Sequence, residues 1–170
     1  MTRLTADDFS RLYRTNYSRA MGFFLRMTGY DHPLAEDLTQ ELFARLWKNR
    51  HRYDPAQPFA VWMFAAACNL CKNEYRHRAV VEAYRREQQA TFSEADDSDS
   101  GTLEQEQQHH LLAEAIRILP DGQREVFLLR YIEELPIRDV AHILHLPEGT
   151  VKSRAFLALK KLKETLQPIQ

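Results

Sequence analysis

Just past its midpoint the chain loses the means to build a core. Residues 87–106 carry seven acidic side chains and no basic one, and the run Ser93–Gly101 holds no aromatic or branched aliphatic residue. Such a segment cannot bury enough apolar surface to offset the entropy of ordering itself. It therefore divides the 170 residues into two lengths, each of which has to find its own core. The expected organisation is a domain over 1–88, a flexible acidic linker over 89–106 and a second domain over 107–170.

Both lengths read as helical. Val and Ile are sparse, and no alternating run of strand length lies between turn residues. Thr5 and Asp8 form a capping-box start, after which Phe9, Leu12, Tyr13, Tyr17, Ala20, Phe24 and Met27 recur at helical spacing up to Gly29. A second helix is expected from about Pro33 to Asn49. Leu34, Leu38, Leu42 and Leu46 build its apolar arc, which leaves Asp37, Gln40, Glu41, Ala44 and Lys48 on a polar strip. The stretch Asn49–Pro58, with two prolines, is expected as a loop. A third helix runs from Phe59 into the eighties. It is apolar nearly all round as far as Cys71, so it should be buried on more than one side, and it turns basic from Lys72. Beyond the acidic segment four helical stretches follow, at about Leu103–Leu119, Gln123–Glu134, Ile137–His145 and Glu148–Leu166. The expected fold is all-α: two small helical domains, the C-terminal one holding a helix-turn-helix.

Charge is distributed unevenly. The chain as a whole carries −1, yet residues 45–86 carry +6 and residues 87–106 carry −7. A basic zone beside an acidic one suits polyanion binding with a solvated spacer, although two wet helix faces of opposite sign give the same tally.

Ile137–Leu162 has the grammar of a helix-turn-helix: a short helix, a tight turn and a longer helix. Val151, Ala155, Ala158 and Leu162 make one core stripe. The opposite face presents Gly149, Lys152, Ser153, Phe156, Lys160 and Lys163, and from Gly149 to Lys163 there are five basic residues and no acidic one. Such a helix suits the major groove. Thr150, Lys152, Ser153 and Arg154 would reach base edges or nearby phosphates, and Lys160 with its neighbours would meet phosphate and add salt-dependent affinity. A plain helical hairpin with a cationic last turn remains the alternative at this point.

The residues resemble the extracytoplasmic-function subfamily of bacterial RNA polymerase sigma factors. Leu119–Tyr131 resembles the entry into that family's fourth region, and Gly149-Thr150-Val151-Lys152-Ser153-Arg154 its recognition-helix start. Ala35–Phe43 resembles its second-region helix, and Trp62–Arg78 its promoter-melting and minus-ten segment. The resemblance implies that Asp37, Gln40 and Glu41 bind the clamp of core RNA polymerase. It implies that the loop bearing Asn49, Arg50, Arg52 and Tyr53 takes up a flipped-out base of the non-template strand. It places Trp62, Asn69, Lys72, Asn73, Arg76 and Arg78 on the minus-ten element, and Thr150, Lys152, Ser153, Arg154 and Lys160 on the minus-thirty-five duplex. Promoter DNA, core polymerase and an anti-sigma factor are the implied partners. No cofactor, no membrane insertion and no catalytic activity of the chain's own are expected.

The sequence departs from the family pattern in two places. Asn73 stands where many members have an acidic residue, and Ala155-Phe156-Leu157-Ala158-Leu159 stands where many are basic. Phe156 would meet a thymine methyl or, as the favoured reading, cover a neighbouring apolar surface. Two other readings stay open: a DNA-binding regulator that never touches polymerase, and a thiol switch at Cys68-Asn69-Leu70-Cys71 with an incidental helix-turn-helix. The Cys pair is two ligands short of a zinc site and sits in an apolar helix, where thiols commonly act as small hydrophobes. The N-terminus has no apolar run of the secretory type and no stretch reaches the roughly 18 apolar residues of a membrane span, which points to a cytoplasmic protein.

Overall fold

The first helix, α1 (Ala6–Met27), starts where the capping box puts it. The Thr5 side chain accepts the Asp8 N–H at 3.1 Å, and the Asp8 carboxylate accepts the Thr5 N–H at 3.1 Å. It ends where Gly29 and Tyr30 both turn left-handed, with φ of 68° and 65°. The positive φ is what favours glycine at 29. A β-carbon there would only make ordinary contact, 3.4 Å from Arg117 Cδ of the C-terminal half. Helix α2 (His32–Lys48) begins with the Asp31 carboxylate accepting the Leu34 N–H, with Pro33 in its first turn. A 3-10 turn over Arg50–Arg52 shapes part of the expected loop, and α3 runs over Phe59–Gln88. The C-terminal half holds α4 (Leu103–Arg117), α5 (Asp121–Phe127), α6 (Ile137–Leu144) and α7 (Glu148–Leu166). This computed structural model describes residues 3–88 and 103–167; the expected linker lies, over 89–102, outside the described residues.

The described residues are all-α, and α1, α2 and α3 pack as a three-helix unit. Phe23, Phe24, Leu42, Leu46, Met63 and Phe64 are buried between them, and the Phe23 and Phe64 rings meet edge to face at 5.2 Å. Burying each such side chain contributes about 1.5–3 kcal/mol. In the C-terminal half Val151, Ala155, Ala158 and Leu162 are all buried, as the spacing requires, against Val126, Leu129, Val140 and Leu144. Ala141 on α6 is small and buried, which lets α6 and α7 cross closely.

One expected helix differs. The stretch read as Gln123–Glu134 starts two residues earlier, at Asp121, and widens into a π turn over Leu128–Ile132. There the Glu133 N–H donates to the Leu128 carbonyl five residues back, at 2.9 Å, and Glu134 is left-handed. The extra residue rotates the chain and carries Glu133 inward to 9 % exposure.

The two halves pack against each other. The apolar all-round stretch of α3 explains how: from Phe59 to Cys71 only Asn69 is exposed. One side of α3 meets α1 and α2, and another meets α6. Helices α1 and α4 also touch. The buried residues of both halves form one continuous cluster.

Candidate nucleic-acid interface

On α2 the Leu34–Leu46 arc faces inward, so Asp37, Gln40 and Glu41 are exposed along one strip with Ala44 and Lys48. Glu41 pairs with Arg45 one turn on, at 2.6 Å, with both side chains about half exposed. Asp37 and Gln40 are exposed beside this pair.

The loop that follows is held by its own side chains. Asn49 caps α2, its side-chain amide donating to the Arg45 carbonyl. Arg50 stacks its guanidinium 4.0 Å over the Trp47 ring and donates to the Trp47 carbonyl at 2.8 Å. Tyr53, Phe59 and Trp62 form an aromatic cluster, with Tyr53 and Trp62 centroids 5.2 Å apart, and the Tyr53 hydroxyl donates to the Gln57 carbonyl. Trp62 is half-buried, so the expected stacking surface is partly occupied by the chain's own rings. Arg52 is exposed.

Along α3 the predicted residues separate by face. Asn69, Asn73 and Arg76 are exposed. Arg78 is tied to Asp31 at 3.3 Å and to Glu74 at 3.4 Å. Lys72 is half-buried and acts electrostatically on Glu125 of α5. Glu125 is itself only 7 % exposed, and burial pushes its carboxyl above the ordinary range, while Lys72 and Arg154 pull the other way. The folded chain therefore holds more protons at Glu125 than the unfolded chain does. The stability this supplies is complete below the ordinary carboxylate value and is lost as pH rises through the raised one. Glu125→Gln is expected to raise the thermal midpoint at neutral pH and to flatten its decline across that window. A calorimetric pH series of the two proteins checks this; parallel curves would contradict it.

In the helix-turn-helix, His145 takes the left-handed conformation, φ 55°, that closes the turn, and the Leu146 N–H donates to the Ala141 carbonyl at 3.0 Å. Pro147 precedes α7. Thr150 is half-buried, and Lys152, Ser153 and Lys160 are exposed on the outer face. Arg154 departs from expectation: it is half-buried against α5, and a β-carbon at Gly122 would fall 2.9 Å from its Nη1. Phe156 departs too. It is 67 % exposed and covers no neighbouring apolar surface. Across from this motif, Gln57 and Pro58 of the loop line a cleft of about 490 Å³ with Arg138, Asp139, His142 and Glu148. The fold thus brings the loop and the start of α7 to one cleft.

Cys68 and Cys71 are both buried free thiols. Burial, with Glu125 adding to it, raises Cys68 well above its usual value and pushes Cys71 up to about 12. Neither is a poised nucleophile in this arrangement. Two features escaped the sequence reading. Arg124 is buried and donates to the carbonyls of Ile116, Arg117 and Leu119 where α4 ends. Arg19 of α1 pairs with Glu133 at 2.6 Å across 114 residues of sequence. No local spacing signals either.

Comparison with known proteins agrees with this layout. Residues 12–81 match the family model of sigma-70 region 2, and residues 109–162 match that of sigma-70 region 4. The chain is 32 % identical over 167 residues to the RNA polymerase sigma factor CarQ of Myxococcus xanthus, covering 96 % of this chain and 92 % of that protein. It is 32 % identical over 161 residues to the sigma factor SigM of Bacillus subtilis, covering 94 % of each. The fold is shared with the sigma factor RpoE of Bartonella quintana, solved in complex with the anti-sigma factor NepR. There the TM-score is 0.80 at 21 % identity, over 97 % of this chain and 100 % of that one. Exposed strip, basic amide-bearing helix and helix-turn-helix occur here in the order of regions 2 and 4 and over nearly the full length of the relatives, and the chain belongs to the extracytoplasmic-function RNA polymerase sigma factors.

Proposed function

We propose the following division of labour for this sigma factor, which directs core RNA polymerase to promoters. Residues 1–88 act as the core-binding and minus-ten unit, 89–106 as a spacer and 107–170 as the minus-thirty-five unit. Asp37, Gln40 and Glu41 contact core polymerase. Asn49, Arg50, Arg52, Tyr53 and Trp62 form the surround for an extruded base, whose unstacking costs a few kcal/mol that such a pocket has to offset. Asn69, Lys72, Asn73, Arg76 and Arg78 line the strand beside it. Thr150, Lys152, Ser153 and Lys160 meet the duplex, with Arg154 joining them if it leaves Gly122.

The observation that supports this reading best is the exposure pattern. Asp37, Gln40, Glu41, Asn69, Asn73, Arg76, Lys152 and Ser153 all face outward, while Leu38, Leu42, Leu46, Leu70, Cys71, Val151 and Ala155 on the same helices are buried. Bond-making belongs to the polymerase, and this chain supplies recognition. It works in the cytoplasm, where its template and polymerase are; among the described residues no helix is long and apolar enough to cross a membrane. The Bartonella quintana relative was solved with an anti-sigma factor, and an anti-sigma partner is proposed here by the same fold.

Reconstituted transcription tests the reading. Purified chain added to bacterial core polymerase on a library of genomic fragments is expected to give transcripts that require it and share two sequence elements. Duplex binding without core binding or transcripts would leave the ordinary regulator instead.

A further inference from the structure

The ion pair between Arg19 and Glu133 joins a helix of the region 2 match to the π turn of the region 4 match. Arg19 Nε donates to the Glu133 carboxylate at 2.6 Å, and its Nη2 donates to the Glu133 carbonyl at 2.9 Å. The guanidinium lies 5.3 Å from the Phe64 ring centroid, so α3 backs the contact as well. Glu133 is 6 % exposed at its side chain, and Arg19 is 35 % exposed. A carboxylate buried to that degree is strongly unfavourable without its partner. The π turn that carries Glu133 inward also buries Leu128 and Leu129 in the core, and such turns often mark functional positions.

The contact sits at the edge of a larger one. Val61 lines the cleft beside α6, and Cys68 and Lys72 feel Glu125 of α5. These three residues, at spacings of seven and four, are one stripe of α3, and that stripe faces the C-terminal half. Cys68 is buried on this helix, close to Glu125 of α5 and on the element that packs against α6.

A sigma factor reads two elements whose centres lie about 25 base pairs apart, or ~85 Å of B-DNA at ~3.4 Å per step. A folded chain of this length is about 40 Å across. The arrangement with Arg19 on Glu133 cannot place α3 and α7 on both elements together. On the proposed function above, this arrangement is closed, and the pair has to break before a promoter is engaged in full.

We propose that Arg19 and Glu133 form an intramolecular latch that holds the two DNA-reading halves closed and lowers the fraction of chain competent for core polymerase. The apparent dissociation constant for core then equals the intrinsic one divided by the open fraction. Like charges at the two positions should raise that fraction, and a swapped pair should restore it.

Cys68 and Cys71 report the state without labels elsewhere, because they are the chain's two cysteines. The experiment measures, for the full-length protein, the native-state rate of alkylation by a neutral maleimide and the affinity for core polymerase. Glu133→Lys is expected to speed alkylation about tenfold and to tighten core binding by a similar factor. Glu133→Gln should do so more weakly, and Arg19→Glu with Glu133→Lys should return both readings towards wild type. Circular dichroism and the thermal midpoint identify a variant that has merely unfolded, and the Gln and swapped variants then decide. Unchanged alkylation in well-folded Glu133→Lys and Glu133→Gln overturns the latch. So does faster alkylation with unchanged core affinity. Absence of core binding by the wild-type chain would instead strike the functional reading on which the latch rests.

Discussion

Asp37→Ala combined with Glu41→Ala is expected to weaken core polymerase binding by roughly 30- to 100-fold while leaving the fold intact. Both side chains are exposed on α2, and nothing in the N-terminal core depends on them. Glu41 does pair with Arg45, but that pair is about half exposed at each side chain, and such pairs typically contribute less than about 1 kcal/mol. The thermal midpoint should therefore barely move. At an interface the same groups matter more. A central polar contact that loses its partner on truncation commonly costs about 2 kcal/mol or more, which sets the fold-change above. Fluorescence anisotropy of labelled protein titrated with core polymerase measures it, with duplex promoter binding as the internal control. A variant that binds core normally but fails to transcribe would move these residues from docking to a later step.

Much of this layout was legible because it is local. Thr5 with Asp8 fixes the start of α1, and a leucine every fourth residue fixes which face of α2 is wet. The stripe Val151, Ala155, Ala158 and Leu162 fixes which face of α7 is free for DNA. Each depends on residues within a turn or two of one another, where helical geometry is rigid. The apolar character of Phe59–Cys71 even foretold burial on more than one side, although not that the second side would belong to the C-terminal half. What escaped depends on contacts between distant residues. The π turn at Leu128–Ile132 is an inserted register, invisible to a 3.6-residue period. Arg154 lies beside the core stripe on α7 and turns to α5 because Gly122 leaves room for a guanidinium there. Phe156 looked like a residue that would find cover, yet its neighbours one turn away are Lys152 and Lys160, and no helix of the described residues packs on that face.

Arg124→Met is expected to destabilise the C-terminal half by about 3 kcal/mol, among the larger losses a single substitution here can produce. The last carbonyls of a helix have no partner within it. In α4 and the turn after it, the carbonyls of Ile116, Arg117 and Leu119 all accept from the Arg124 guanidinium, and Asp121 pairs with it at 3.1 Å. Its side chain is 11 % exposed, so water cannot simply take over from the methionine variant. Trp47 and Trp62, the chain's two tryptophans, both lie in the N-terminal half. Tryptophan fluorescence therefore follows that half, while far-ultraviolet circular dichroism follows both. With a urea slope of about 2 kcal/mol per molar, a 3 kcal/mol loss lowers the midpoint by about 1.5 M. If the halves unfold separately, the variant loses part of its dichroism at the lower midpoint while fluorescence keeps the wild-type one. If α3 against α6 and Arg19 on Glu133 bind them into a single cooperative unit, both probes shift together. A midpoint shift below about 0.3 M in either probe would mean that the α4 carbonyls find water after all, and that Arg124 contributes little to holding the end of α4.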